Sequence, residues 1–122
     1  MKKKVRQLID ALRPFDPERV LLFGSWARHE EDELSDLDVV VIKEMTQPFL
    51  ERLREISKFL PTELGSVDIL VYTPEEYLQM QKDGNAFAEM LAEESRLIYE
   101  RQPDFLRARQ DWLDAEALFE NH

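Results

Sequence analysis

The chain of 122 residues carries 26 acidic and 16 basic side chains, a formal net charge of -10, with 43% hydrophobic residues and only three glycines. That length and balance describe one globular domain with a core of its own, and a surface this acidic excludes broad, nonspecific attachment to nucleic acid, because phosphate would be repelled. The absence of cysteine removes disulfides, thiolate metal sites and cysteine nucleophiles together, and it fits a reducing cytoplasm, the expected location.

The basic start "MKKKVRQLIDALRPF" is not a signal peptide, because Asp10 and Arg13 interrupt the apolar core such a peptide needs. No apolar run approaches the ~20 residues required to cross a bilayer. Val5, Leu8, Ile9 and Leu12 recur at helical spacing, and Pro14 with Pro17 closes that helix into a turn. Lys2, Lys3 and Lys4 read as its solvated start. "RVLLF" (19–23) suits a buried strand, Gly24-Ser25 turns the chain, and "WARHEED" reads as a short helix. "DVVVI" (38–42) is a second buried strand. From Thr46, the residues Phe49, Leu50, Leu53, Ile56, Phe59 and Leu60 mark an amphipathic helix that Pro61 ends. "SVDILVYT" (66–73) is a third strand. Thr73 then caps a helix that has Pro74 at its first position, Glu76 completing a capping box and Gly84 at its end. "AFAEMLAEES" is a further helix, "RLIYE" a short edge strand, and "DFLRARQDWLDAEALFE" after Pro103 is helical. Strands separated by helices in so short a chain give an α/β or α+β layer, a small sheet flanked by helices.

The stretch "LLFGSWARHEEDELSDLDVVVI" holds the chemistry. Residues two apart on a strand face the same side, so Asp36 and Asp38 can present both carboxylates to one point. Like charges held that close repel unless a cation sits between them, and such oxygen clusters suit Mg²⁺. Asp68, flanked by aliphatic residues on the third strand, supplies a third acid if that strand lies beside 38–42. The Gly24-Ser25 pair is the complementary half. Glycine lets backbone approach a ligand, and Ser25 stands where a helix begins, so free N–H groups and a hydroxyl can meet phosphate. Two metal ions on one side and an anion binder on the other describe a nucleoside triphosphate site.

These residues resemble a known family. "GSWARHEEDELSDLD" is similar to the Gly-Ser, ten residues, Asp-x-Asp signature of the DNA polymerase β-like nucleotidyltransferase superfamily, and the short chain resembles its minimal nucleotidyltransferases, commonly the antitoxin partners of HEPN-domain ribonucleases. The resemblance extends in element order over residues 5–100. It implies the nucleotidyltransferase fold, with a short mixed sheet, over 1–102 and a C-terminal helix over 103–122. It implies that Gly24 and Ser25 hold triphosphate and that Asp36 and Asp38 bind two Mg²⁺. By the same resemblance Asp68 completes the metal set and helps deprotonate the acceptor hydroxyl, and Arg28 sits at a frequently basic place. His29 departs from the glycine usual after that arginine.

Each residue also has a plainer reading. Asp36 can form an Asx turn, Asp38 can be a solvated strand end, Ser25 a helix cap, Trp26 a packing residue, and Arg28 can pair with Glu31 or Asp32 on its own helix. The three acids together with Ser25 favour the metal site. At the C-terminus, Phe105, Trp112, Leu113 and Phe119 either cover the sheet or leave an apolar stripe for a partner. "ARQDWLDAEALFE" faintly resembles the opening helix of HEPN proteins, which leaves open that the chain is the front of a longer fusion or that this helix packs on a separate HEPN chain; a homo-oligomer is left open as well. Neither His29 nor His122 follows an arginine at the Arg-x4–6-His spacing of those ribonucleases. The expected activity is Mg²⁺-dependent transfer of AMP from ATP to a hydroxyl, by resemblance a tyrosine of a HEPN toxin. The rivals are an aminoglycoside-type small-molecule nucleotidyltransferase and an antitoxin that acts by binding alone.

Overall fold

The computed structural model describes residues 3–28 and 36–102. Helix α1 (Lys3–Leu12) buries Val5, Leu8, Ile9 and Leu12, the stripe its spacing predicts. A single 3-10 turn at Arg13–Phe15 follows, and Asp16, in the left-handed region, closes it with its N–H on the Arg13 carbonyl. The remaining elements are β1 (Arg19–Phe23), β2 (Leu37–Ile42), α2 (Phe49–Ser57), β3 (Val67–Tyr72), α3 (Pro74–Lys82), α4 (Ala86–Glu94) and β4 (Arg96–Glu100). They form a mixed four-stranded sheet in the order β3-β2-β1-β4.

Strand β2 lies inside the sheet, antiparallel to β1 and parallel to β3, with α2 as the crossover between the parallel pair. Its sequence "LDVVVI" explains that place, because a strand covered on both faces reads as a continuous apolar run. Every residue of β2 is buried except Asp38, which is half-buried. The edge strand β4 pairs with β1 through a register shift between Val20 and Leu21.

Alternation along the strands sorts the core into two layers. One face packs Val20, Leu22, Leu37, Val39, Val41 and Val71 against α1, Phe15, Trp26, Ile56 and Leu64. The other packs Leu21, Val40 and Ile42 against Tyr77 of α3 and Leu91 of α4, with Phe23, Leu70, Tyr72 and Phe87 half-buried around them. Asp38 and Asp68 project from this second, thinner face.

Two expected helices differ from the structure. The helix expected over "WARHEED" is, in the described residues, one 3-10 turn at Gly24–Trp26, and 29–35 lie outside them. Helix α2 starts at Phe49 rather than Thr46, because Pro48 restricts Gln47 to extended backbone and is itself extended at the N-cap. It also ends at Ser57, short of Pro61, where Lys58, Phe59 and Leu60 tighten into bonds to the carbonyls three residues back. The helix expected over 103–122 lies outside the described residues.

Helix α3 carries the full capping box. The Glu76 N–H donates to Thr73 Oγ1 at 3.1 Å, and the Thr73 N–H donates to Glu76 Oε1 at 2.8 Å. Helix α4 is capped by Asn85, whose Oδ1 accepts from Phe87 and Ala88.

Candidate active site

Asp38 is the centre of the site because of where β2 runs. On one side it is the register partner of Asp68 on β3, and on the other it faces Phe23, the last residue of β1. A residue just past Phe23 therefore comes against the Asp38 side chain, and that residue is Gly24. Its φ is +70°, and a Cβ built on it would stand 3.1 Å from Asp38 Cγ and closer still to Oδ2. Glycine meets both conditions, since the left-handed backbone disfavours a side chain and the close approach leaves no room for one.

The Gly24 carbonyl then accepts from the Ala27 and Arg28 N–H groups, at 3.1 and 3.2 Å, which winds the chain into the 3-10 turn. Ser25 is half-buried at the top of that turn. Trp26, also in the turn, is buried against the α1 layer and carries the Lys4 ammonium 5.8 Å from its ring centroid, the packing role expected of it. The turn is thus anchored to the core through Trp26.

The electrostatics centre on the same carboxylate. Burial pushes the Asp38 carboxyl above the ordinary aspartate range, the charges of Asp68 and Asp36 push it further, a hydrogen bond with Asp68 adds to this, and Arg28 works in the opposite direction. Asp38 and Asp68 are therefore brought side by side. Asp36 is exposed just before β2, outside the strand, so strand alternation does not aim it, and it acts on Asp38 by charge. Among the described residues no three acidic, histidine or cysteine side chains are gathered into a cluster that could hold a metal ion. The pair is nonetheless suited in kind to a hard cation: two carboxylates at one register position, whose charges repel.

A sequence profile of the family "Polymerase beta, Nucleotidyltransferase" matches residues 6–104. The chain belongs to this family. It is a nucleotidyltransferase, and solved structures share its fold. A protein assigned as a nucleotidyltransferase from Sulfolobus solfataricus superposes with a TM-score of 0.53 at 22% identity, over 80% of this chain and 77% of the other. A toxin-antitoxin structure with AMP-PNP gives 0.53 at 18% identity over 96% of each chain. MntA-HpeT carrying two aspartate-to-glutamate substitutions gives 0.52 at 16% identity, again over 96% of each chain. The comparison with curated proteins yields no significant match.

Two features of this nucleotidyltransferase escaped the reading of its sequence. One is Arg52, buried in α2, which donates to both Glu76 oxygens at 2.6 and 3.2 Å and to the Gln47 and Val71 carbonyls. The spacing of Arg52 to Ile56 placed both on one helical face, and that was the available signal. This ion pair lies at the far end of β3 from Asp68, so it locks α2, β3 and α3 together away from the acids. The other is the set of aromatic rings on the face shared with Asp38. Phe23 and Phe87 meet edge to face at 5.5 Å, and Phe87 and Tyr72 lie 6.4 Å apart. No spacing rule links residues so distant along the chain. Among the described helices none is long and apolar enough to cross a membrane.

Proposed function

We propose that this nucleotidyltransferase moves AMP from ATP to a hydroxyl, with Asp38 and Asp68 as the paired metal ligands, Asp36 joining them from the residue before β2, and Gly24, Ser25 and Arg28 receiving the triphosphate. The observation that carries the proposal is the contact of Gly24 with the carboxylate of Asp38, because it ties the candidate phosphate turn to the candidate metal pair at one sheet end. The residues fit Mg²⁺ by donor type, and such ions would neutralise phosphate charge and favour in-line displacement. The chain's own groups do the rest. The turn holds the β- and γ-phosphates away from the acids and leaves the α-phosphorus beside Asp38. Asp68, exposed beside Asp38, accepts the proton of the attacking hydroxyl. A new bond forms from that oxygen to the α-phosphorus, the bond from the α-phosphorus to the bridging oxygen breaks, and pyrophosphate leaves.

The acceptor we propose is a tyrosine of a HEPN-domain toxin in the cytoplasm, with residues 103–122 contacting that partner. Support comes from the neighbours of the same fold, solved as toxin-antitoxin structures, one with AMP-PNP and one as a tyrosine-to-alanine variant of MntA-HpeT. The two aspartates replaced in the other MntA-HpeT variant stand two residues apart, the spacing of Asp36 and Asp38 here. The test is incubation with labelled ATP, Mg²⁺ and a HEPN protein encoded beside this chain. Label should appear on that protein and disappear with Asp38→Asn, whose circular dichroism should match the parent. Transfer retained by Asp38→Asn would refute the role of Asp38, and label on a small-molecule alcohol instead would refute the acceptor.

A further inference from the structure

We infer that Phe87 is the platform on which the base of the nucleotide stacks, and that base choice is consequently weak; the inference rests on the nucleotide site proposed above. The placement follows from three rings and the strand register. Phe23 on β1 stands in the row of Asp38, and Tyr72 on β3 stands in the row of Ile42, two pleats further along. Phe87 contacts both rings, at 5.5 and 6.4 Å, so it lies over the strand between them, above the row of Val40.

Val40 follows Asp38 by two residues, so this row is about 7 Å from the acids along β2, roughly the width of a ribose. The direction is decided by the phosphates. With the triphosphate on the Gly24–Ser25 turn, beyond the start of β2, a nucleoside attached at the α-phosphorus extends the other way, along β2 toward Val40. Phe87 meets it there. The ring is half-buried, and Phe23 and Tyr72 contact it at interplanar angles of 84° and 50°, so neither of these is stacked parallel on it. Ala88 and Leu91, both buried, hold α4 to the sheet, and Asn85 caps the turn that carries Phe87, so the platform is fixed by the fold. Every base offers a π-face, and stacking alone discriminates poorly among them.

Calorimetric titration of the full chain in Mg²⁺, without any acceptor, separates base from phosphate binding by comparing ATP with inorganic tripolyphosphate. Phe87→Leu keeps an apolar side chain under α4 and removes the ring, and Phe87→Trp keeps a ring. For Phe87→Leu, ATP affinity should fall roughly tenfold, about 1.4 kcal/mol, with GTP, CTP and UTP falling by similar factors. Tripolyphosphate affinity should not change, and Phe87→Trp should bind ATP at least as tightly as the parent. An ATP affinity within twofold of the parent in Phe87→Leu would overturn the inference, as would equal losses of ATP and tripolyphosphate, which would mark Phe87 as merely structural. A parent chain that binds no tripolyphosphate would instead remove the phosphate turn, and the platform with it.

Discussion

Replacing Gly24 by alanine separates backbone strain from active-site crowding, because the chain contains its own control. Gly24 and Gly84 have nearly the same backbone, at φ +70° and +66°, but a Cβ on Gly84 meets nothing nearer than Glu89 Oε1 at 3.7 Å. Each substitution forces an L-residue into the left-handed region, at about 1–2 kcal/mol. At Gly24 the new methyl also meets the Asp38 carboxylate, and overpacking of this kind adds about 1–3 kcal/mol if the backbone yields. With a shift of a few degrees per kcal/mol for a chain of this size, Gly24→Ala should melt on the order of 5–10 °C below Gly84→Ala. If the carboxylate swings aside instead, the melting gap narrows but the proposed metal pair is displaced, and a misplacement of about 1 Å costs roughly 100-fold in rate. The assays are thermal melting by circular dichroism and transfer of labelled AMP, run on both variants. A Gly24→Ala protein that both melts at the same temperature as Gly84→Ala and transfers AMP at the same rate would refute the reasoning.

The raised Asp38 carboxyl makes its ionised form a liability to the fold, so without divalent cation this group's contribution to stability falls as pH rises from the ordinary aspartate range through the raised value. Asp38→Asn should therefore be at least as stable as the parent at neutral pH in a chelator, and Mg²⁺ should raise the melting temperature of the parent but not of the variant. Equal shifts in both would count against a cation at Asp38. Glu76→Gln should cost about 2 kcal/mol in urea denaturation, because it leaves the guanidinium of buried Arg52 without its anion. Hydrogen bonds from Arg52, chiefly, hold the Glu76 carboxyl below the usual glutamate range. Its contribution is thus present above that range and lost as pH falls through the lowered value, so the acid limb of a stability-pH curve should flatten in the variant. Asn85→Ala should cost about 1 kcal/mol by the same denaturation, through loss of the α4 cap.

What the sequence determined by itself was whatever depends on neighbours along the chain. The apolar run of β2, the stripe of α1, the capping box from Thr73 to Glu76 and the glycine ending α3 are local, and each stands in the structure where spacing and cap chemistry put it. The same holds for naming Asp38, Asp68 and the Gly24–Ser25 turn as candidates, because their residue types and intervals are legible without a fold. Only the tertiary structure decided how they meet. Parallel pairing of β2 with β3 put Asp68 at the register position of Asp38, whereas antiparallel pairing or a one-residue slip would have sent it elsewhere. Pairing of β1 with β2 likewise pressed Gly24 onto that carboxylate, which no property of Gly24 announces. Asp36 fell outside the strand because β2 begins at Leu37, and Arg52 found Glu76 only when α2 crossed over the sheet. Contacts between residues far apart along the chain depend on register and layer, which are set by the burial of both sheet faces at once and by no single segment.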